Sequence, residues 1–310
     1  MSSKPPFFSI IVPTYGRSRQ LTFCLQAIAA LEYPYDRFEV LVVNDGAENP
    51  PEALINGFRN GLDITLLTQS HAGPATARNY GASKAKGEYL AFTDDDCLPL
   101  PNWLQTLAVR FLNLPDCVIG GKTLNGYSKN LYSTASQFLI DYLYTYYNSD
   151  PCQARFLTSN NLAMPTNLFW KHGGFDKTFP KAAAEDRELC DRLSNFGHNI
   201  RYAPEVLVYH FHDLTLHSFC RQHFNYGVGA YRFHKIRAER NDMPINVEPL
   251  PFYLNLMRFP ISRTSASQAF SLTALLFTSQ AANALGYFWQ KFFGAGNGSN
   301  HKLEKNESAD

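Results

Sequence analysis

The sequence predicts an α/β protein with a mostly parallel, doubly wound sheet that carries helices on both faces. Short apolar runs alternate with segments of helical periodicity over the first hundred residues, an order typical of βαβ units. The runs are apolar at nearly every position, as in strands covered on both faces. From Leu214 onward helical segments dominate, so we expect a C-terminal helical extension.

The elements follow from the positions of apolar residues and of helix-breaking residues. In the first helix, Leu21, Leu25 and Ile28 recur at helical spacing and so share one face. The third helix begins at Gly73–Pro74 and ends before Gly87. Strands are predicted over 7–13, 38–43, 64–67, 89–93, 118–124, 200–203 and 206–209. Helices are predicted over 18–31, 51–60, 73–85, 103–112 and 131–148, and from Glu185 to Gly197.

Composition narrows the classes of protein to which this chain can belong. With 310 residues and 45% hydrophobic residues, it can bury a large core in one or two domains. A net charge of +1 argues against a nucleic-acid binder that works by bulk electrostatics. Six scattered cysteines without a Cys-x-x-Cys pair indicate reduced thiols, and no secretory signal is visible, so we expect a cytoplasmic protein.

Three polar segments follow the ends of apolar strands: Pro13-Thr14-Tyr15, Asn44-Asp45-Gly46 and Asp94-Asp95-Asp96. In a doubly wound sheet, ligands bind at the carboxyl ends of the strands, so these segments should converge. Three adjacent carboxylates repel one another unless a cation neutralises them, and Asp oxygens suit Mg²⁺ or Mn²⁺ together with substrate phosphates. Alone, the acids could equally form a solvated loop that caps the next helix.

The region after residue 213 also bears on partners. No charged residue occurs between Arg263 and Lys291, a span long enough to cross a bilayer. Serine, threonine, glutamine and asparagine dilute its apolar character. We therefore favour a peripheral membrane contact, which would put the protein at the cytoplasmic face of the membrane, or a homo-oligomer contact. The polar residues 295–310 are predicted to be a disordered tail.

Taken together, these motifs resemble the inverting family 2 glycosyltransferases, which have a GT-A fold, a Rossmann-like arrangement. The resemblance covers about residues 7–213, so residues 1–213 are expected to form the GT-A domain, and residues 214–294 are expected to form a separate helical C-terminal region. Its stretches are Ser9–Arg17, Val42–Gly46, Gly73–Gly81, Gly87–Asp96, Gly173–Asp176, Glu185-Asp186 and His210 after a strand. Residues 94–96 fit the family's Asp-x-Asp motif.

The resemblance implies a role for each matching residue. Pro13, Thr14, Tyr15 and Asp45 would line the base and ribose pocket of a nucleotide-sugar donor. Further donor-binding residues would be Arg17, Arg78 at the diphosphate, Asp94 and Asp95. Asp96 would bind Mg²⁺ or Mn²⁺ with His210, or with His212 as the second choice. Asp186 would be the general base, with Glu185 as the alternative.

The implied reaction is sugar transfer from a nucleotide-diphosphate sugar, most often a UDP-sugar, to a hydroxyl of a carbohydrate or lipid-linked acceptor, with inversion. One carboxylate base and one metal suffice for such a single displacement. A sugar-phosphate nucleotidyltransferase is the enzymatic alternative, but its Gly/Lys-rich N-terminal loop is replaced here by Val12-Pro13-Thr14-Tyr15. A non-catalytic binding protein of the same fold is the other alternative, and it should have lost the acids, which this sequence retains.

Overall fold

The computed structural model describes residues 4–179, 183–245 and 247–294. The chain divides into two compact units, and the division falls between Asp213 and Leu214. The first unit contains an eight-stranded sheet flanked by helices, and the second is helical. The α/β class expected from the sequence is therefore confirmed. The predicted disordered tail, 295–310, lies outside the described residues.

The first half of the sheet is parallel. Its strands are β1 (Phe8–Thr14), β2 (Phe38–Asn44), β3 (Ile64–Thr68) and β4 (Tyr89–Phe92), in the order β3-β2-β1-β4. The helices between them are α1 (Ser18–Ala29), α2 (Glu52–Phe58) and α3 (Pro74–Ala82), with a short 3₁₀ helix at Tyr35–Arg37. Every residue of β1 is buried, with Ile10 in the core that includes α1 and Ile11 in the core that includes α3. Helices therefore cover both faces, as the continuous apolar runs predicted.

The second half of the sheet is mixed. Its elements are β5 (Cys97–Pro99), α4 (Trp103–Asn113), β6 (Val118–Asn125), α5 (Leu131–Tyr147), β7 (Leu162–Pro165), α6 (Thr166–Lys171), α7 (Glu185–Asn195) and β8 (Ile200–His210), with 3₁₀ helices at Pro151–Gln153 and Ser159–Asn161. The order continues β4-β7-β6-β8-β5. Strand β7 is antiparallel to β4 and β6, β5 is antiparallel to β8, and β6 is parallel to β8. Parallel pairing thus dominates only up to β4.

One predicted boundary is wrong: the two short strands expected over 200–203 and 206–209 are a single strand, β8. Its pairing with β6 passes from Gly121↔Ala203 to Lys122↔Leu207, so three residues of β8 bulge out of the ladder. Pro204 lies in this bulge and cannot donate a ladder hydrogen bond, which explains the polar break in the sequence pattern.

The register of the parallel strands brings the polar strand ends together. Thr14 pairs with Asn44 at the ends of β1 and β2, and the Asp45 backbone N–H donates to the Thr14 carbonyl at 2.9 Å. Strand β4 lies on the other side of β1 and ends at Phe92, and only Thr93 separates it from the three acids. The predicted convergence at one edge of the sheet is therefore observed.

The second unit consists of α8 (Leu216–Asn241), α9 (Leu250–Arg258) and α10 (Ala266–Phe293). The backbones of helices α8 and α10 are in direct contact at two glycines. A Cβ atom added to Gly227 would lie 1.9 Å from the Asn283 carbonyl oxygen, and a Cβ atom added to Gly286 would lie 1.9 Å from the Phe224 carbonyl oxygen. Only glycine permits this approach. Among the described residues, no helix combines the length and the apolar character that a membrane crossing requires.

Candidate active site

The three consecutive acids after β4 have different environments. Asp95 is fully buried, accepts a hydrogen bond from Thr14 Oγ1 at 2.7 Å and pairs with Arg17. Burial raises the pKa of Asp95 to about 7, although the Arg17 charge opposes the shift. Asp96 is 6% exposed, and its Oδ1 lies 3.3 Å from His210 Nε2. Burial alone would favour the neutral acid, but the His210 and Arg17 charges hold the pKa of Asp96 well below its usual range.

Arg17 supplies the cation that neutralises this cluster. Its Nη2 lies 2.5 Å from Asp95 Oδ1, and its Nη1 donates to Asp96 Oδ2 at 2.8 Å. The Arg17 side chain is nevertheless 44% exposed, so the guanidinium covers the acids from the solvent side. Arg17 thus stands where a cation is electrostatically required, next to the first helix of the chain.

Three candidate ligand atoms for a metal lie within 4.8 Å of one another among the described residues, on Asp96, Cys97 and His210. Burial raises the pKa of the Cys97 thiol well above its usual range, which disfavours the thiolate, and sulfur is a poor ligand for Mg²⁺ or Mn²⁺. Asp96 and His210 remain, and a carboxylate oxygen with an imidazole nitrogen fits a divalent cation such as Mn²⁺. The residues present therefore fit the expected metal.

His212, the second choice as metal ligand, stacks on His210 with ring centroids 5.0 Å apart. Burial and then the His210 charge lower the pKa of His212 to about 4, so this ring is neutral. The pKa of His210 is raised instead: burial opposes its charge, but Asp96 outweighs burial. Of the two histidines, His210, at the end of β8, is the one whose ring nitrogen lies against the Asp96 carboxylate.

Arg78 joins the acids after β4 to the acids of α7. Its Nη2 donates to Asp94 Oδ1 at 2.7 Å, and its Nη1 donates to Glu185 Oε1 at 2.9 Å. The residue is 2% exposed, and its guanidinium lies 5.6 Å from the centroid of the Phe175 ring. Both ends of the guanidinium are held by carboxylates, so its assignment to the diphosphate stays a prediction. In the structure, Arg78 connects the acids that follow β4 to the start of α7.

Replacement of Arg78 by methionine should lower the free energy of unfolding by about 3–5 kcal/mol, because the buried Glu185 and the partly exposed Asp94 lose their shared cation. Urea denaturation at pH 8, followed by circular dichroism, measures the change. Arg110→Met is the matched control: Arg110 pairs with Glu205 at 2.5 Å, with both side chains about two-fifths exposed. That pair should contribute less than about 1 kcal/mol. Equal losses in the two variants would contradict the bridge.

Glu185 and Asp186 open α7 and point in different directions. Glu185 is 2% exposed, and besides its bond to Arg78 its Oε2 accepts a hydrogen bond from the Ala183 backbone N–H at 2.8 Å. Asp186 is half-buried and accepts from the backbone N–H groups of Ser159 and Arg187 at 3.2 and 2.8 Å. Asp186 thus retains access to the site, while Glu185 is committed to the protein interior.

Burial sets the charge state of this acid pair. It raises the pKa of Glu185 to about 7, assisted by the Asp186 charge and opposed by Arg78. Burial also raises the pKa of Asp186, and the charge of Asp94 adds to that shift, so the two groups of acids share one electrostatic site. Before them, Ala184 has φ +70°, a left-handed conformation that costs a non-glycine residue about 1–2 kcal/mol.

Asp45 and Tyr15 form the other end of the site. The Asp45 carboxylate accepts hydrogen bonds from the Ala72 and Gly73 backbone N–H groups, both at 2.9 Å, and so fixes the loop before α3. Tyr15 is 53% exposed and packs against His71, with ring centroids 4.5 Å apart and ring planes inclined at 35°. Pro13 and Thr14, at the end of β1, are buried, and Thr14 connects this end of the strand to Asp95. Sequence reasoning missed His71, whose only signal was its place in the loop between β3 and α3.

Gly46 makes this arrangement of the loop possible. A Cβ on Gly46 would lie 2.4 Å from the His71 backbone nitrogen, and the residue has φ +82°, so a side chain is excluded on both grounds. Sequence reasoning also missed Ser159, whose backbone N–H holds Asp186 from a 3₁₀ helix. A hydrogen bond from a backbone N–H group does not depend on the residue type, so a sequence pattern does not reveal it.

A sequence profile described as glycosyl transferase family 2 matches residues 9–173. Among curated proteins, the glycosyltransferase AglE of Haloferax volcanii is 26% identical over 227 residues, which are 68% of either chain. The chondroitin synthase of Escherichia coli is 26% identical over 65% of this chain. The match spans only 34% of that longer protein, so much of it has no counterpart here.

Two solved structures share the fold. The mannosyltransferase PcManGT of Pyrobaculum calidifontis, in complex with GDP-Man and Mn²⁺, superposes with a TM-score of 0.65 at 17% identity, over 93% of this chain and 89% of that one. Residues 1–349 of Staphylococcus aureus TarS, in complex with UDP-GlcNAc, give a TM-score of 0.54 at 18% identity, over 91% and 89%. At these identities the likeness concerns the fold, and it confirms the GT-A class.

Proposed function

The chain belongs to glycosyl transferase family 2, and on that premise we propose that it moves a sugar from a nucleotide-diphosphate sugar to an acceptor hydroxyl with inversion. It is accordingly an enzyme, a glycosyltransferase. One observation carries the proposal: the acids after β4 and the acids of α7 are joined through Arg78 into one buried, charged site. The same site therefore provides a carboxylate that can take the proton of the acceptor hydroxyl and carboxylates that can bind a cation.

Asp186 is the proposed general base. Its carboxylate is held by two backbone N–H groups, and its raised pKa brings it closer to the pH at which a base works best. Glu185 is the weaker candidate, because it is almost fully buried and its charge is paired with Arg78, whereas Asp186 is half-buried and only backbone N–H groups donate to it. With one carboxylate as the base, the chemistry is a single displacement, in which the acceptor oxygen attacks the anomeric carbon as Asp186 takes its proton. Such a displacement inverts the anomeric centre.

The departing diphosphate requires positive charge. Mg²⁺ or Mn²⁺ held by Asp96 and His210 would stabilise the phosphate oxygens when bound. From the protein itself, Arg17 is suited to the same purpose, since its guanidinium is partly exposed and already faces Asp95 and Asp96. Arg78 is buried and would contribute chiefly by holding Asp94 in place.

The donor nucleotide would occupy the edge formed by Pro13, Thr14, Tyr15 and Asp45. Tyr15 and His71 offer two adjacent, half-exposed aromatic rings, against either of which a planar base can pack. Asp94 and Asp95 would then face the ribose or the sugar. The solved structures of similar fold are complexes with UDP-GlcNAc and GDP-Man, which supports a nucleotide sugar as donor. We propose a UDP-sugar, with a hexose as the transferred group.

The acceptor is proposed to be a carbohydrate or a lipid-linked hydroxyl compound, in the synthesis of a polysaccharide, a glycolipid or a cell-envelope glycan. Residues 1–213 would carry donor binding and catalysis, and 214–294 would serve contacts to a membrane or a second copy. We place the protein in the cytoplasm, at the cytoplasmic face of the membrane. The nucleotidyltransferase alternative lacks support, since Val12–Thr14 is a buried strand end, followed by the exposed Tyr15, and not a glycine-rich loop.

Isothermal titration of UDP, GDP and dTDP in the presence and absence of Mn²⁺ tests the proposal, followed by a screen of sugar donors for nucleotide release. We expect metal-dependent binding of one nucleotide diphosphate and release of that nucleotide from its sugar. If none of the nucleotide sugars binds with a dependence on metal, the proposed function is wrong. Pyrophosphate formation from a sugar phosphate and a nucleoside triphosphate would instead support a nucleotidyltransferase.

The transfer rate should fall as the pH is lowered. The base acts in its deprotonated form, and burial raises the pKa of Asp186 above its usual range, beside a Glu185 whose pKa is raised to about 7. As the pH falls through this range the pair gains a proton and activity is lost. A profile of kcat/KM from pH 5 to 9 measures this loss of activity. In Glu185→Gln the loss should move to lower pH, because Asp186 no longer faces a like charge; an unchanged profile would contradict the coupling.

A further inference from the structure

Helix α10 presents an apolar stripe to solvent along its whole length. The stripe residues recur every three to four positions and so share one face. They are Phe270, Ala274, Phe277, Ala281, Leu285, Phe288 and Phe292, and all are exposed. Phe270 is 79% exposed and Phe277 68%. A helix of 28 residues is about 42 Å long, so the exposed apolar surface far exceeds the scattered residues of an ordinary monomer.

The opposite face of α10 is already used. Leu272, Leu276, Ser279 and Gly286 are buried, and Gly286 lies against the backbone of α8. The stripe is therefore not an unfinished part of this helix packing. Further apolar side chains of the same unit are exposed as well, namely Met243, Val247, Leu250, Leu254 and Ile261. The polar residues 295–310 contain a single large apolar side chain, Leu303, and so are chemically unsuited to cover the stripe.

Charge distinguishes the second unit from the first. Residues 214–294 hold eight Lys and Arg against three Asp and Glu, a net charge of +5, whereas residues 1–213 hold eighteen against twenty-one, a net of −3. Exposed basic side chains stand before and after the stripe, at Arg258 and Arg263 on one side and Lys291 on the other. An apolar face bordered by cations is the pattern of a helix that lies in the headgroup region of an anionic bilayer.

A second copy of the chain fits the stripe less well. In a two-fold dimer the same surface faces itself, so the two units with their net +5 charges would meet. Like charges brought together across an interface oppose association. Anionic lipid headgroups offer the complementary charge, and Trp289, half-exposed near the end of the helix, has the amphipathic ring that is enriched at membrane interfaces.

We propose that the stripe of α10 binds the surface of an anionic bilayer, with its phenylalanines in the acyl boundary and the flanking basic residues at the headgroups. The helix lies on the membrane and does not cross it. This inference goes beyond the proposed reaction and does not depend on it. Its consequence is a protein held at the surface where lipid-linked molecules are found.

Co-sedimentation of the full chain with phosphatidylcholine vesicles, with and without an equal part of phosphatidylglycerol, tests the proposal. We expect binding to the anionic vesicles, weaker binding to the neutral ones, and release at high salt. The double variant Phe277→Glu/Phe288→Glu should reduce binding at least tenfold. Arg258→Gln/Lys291→Gln should weaken binding to the anionic vesicles by roughly tenfold or more. Binding that is equal for both kinds of vesicle and insensitive to salt would contradict the proposed contact between the basic residues and anionic headgroups.

Leu112→Glu is the matched control, since Leu112 is 70% exposed on α4 in the first unit. It should leave vesicle binding unchanged. Circular dichroism must show that all variants retain the fold. Light scattering without lipid tests the alternative occupant: if wild type is a dimer that Phe277→Glu/Phe288→Glu dissociates, and no vesicle binds wild type, the stripe is an interface between copies and the proposal is wrong.

Discussion

Replacement of Asp186 by asparagine is expected to lower the transfer rate by about 10²–10⁴-fold, the usual contribution of a general base. Donor binding should stay within about twofold of wild type, because the residue lies away from Arg17 and Asp96 in the contacts of the structure. Asparagine keeps a side-chain oxygen that can accept from the Ser159 N–H, so the start of α7 should be preserved. Nucleotide release under saturating donor and acceptor measures the rate, and isothermal titration measures donor binding.

Two further variants make this result specific to Asp186. Asp191→Asn removes a carboxylate from the same helix and should leave the rate nearly unchanged. Glu185→Gln keeps the shape of the side chain that binds Arg78 but removes its charge, so we expect a smaller loss of activity together with lower stability. If Asp186→Asn retains near-normal turnover while Glu185→Gln is inactive, the two roles are exchanged and the assignment of the base is wrong.

The sequence revealed those parts of the site whose signals are local. An apolar run such as 89–92, followed after Thr93 by Asp94-Asp95-Asp96, marks a buried strand and its polar end within ten residues. The convergence of strand ends then follows from parallel pairing, a general property of this fold class. For the same reason the bounds of β1, β2 and α4 agree with the predicted ranges within one residue or so.

The parts that could not be predicted depend on contacts between distant residues. Arg78 and Glu185 are 107 positions apart, and nothing in either local pattern indicates that they pair. The antiparallel insertion of β7 between β4 and β6 is likewise a choice of tertiary pairing that an apolar run does not reveal. Arg17 illustrates a third case, since its residue type suggested phosphate binding, but its position over Asp95 and Asp96 emerges only from the fold.

Replacement of Asp96 by alanine is expected to remove the dependence of donor binding on metal. Asp96 contributes the only carboxylate of the candidate ligand set among the described residues, and its low pKa keeps that carboxylate charged at every working pH. We expect the affinity for a nucleotide diphosphate in the presence of Mn²⁺ to fall by about 100-fold or more, since even residues that only support a ligand contribute 10–100-fold. Titration with and without EDTA gives the metal-dependent part directly.

Variants of Cys97 and His210, the other two candidate ligands, distinguish the loss of a metal ligand from a general disturbance of the site. Cys97→Ala should leave Mn²⁺-linked binding unchanged, because a buried thiol with a raised pKa stays protonated. His210→Ala should reduce it by less than Asp96→Ala, as a hard cation depends more on a charged oxygen than on a neutral nitrogen. If Cys97→Ala abolishes metal dependence while Asp96→Ala preserves it, the hard-cation assignment fails. The cation would then be a softer, thiolate-bound one, and the acids after β4 would need another partner, for which Arg17 is already in place.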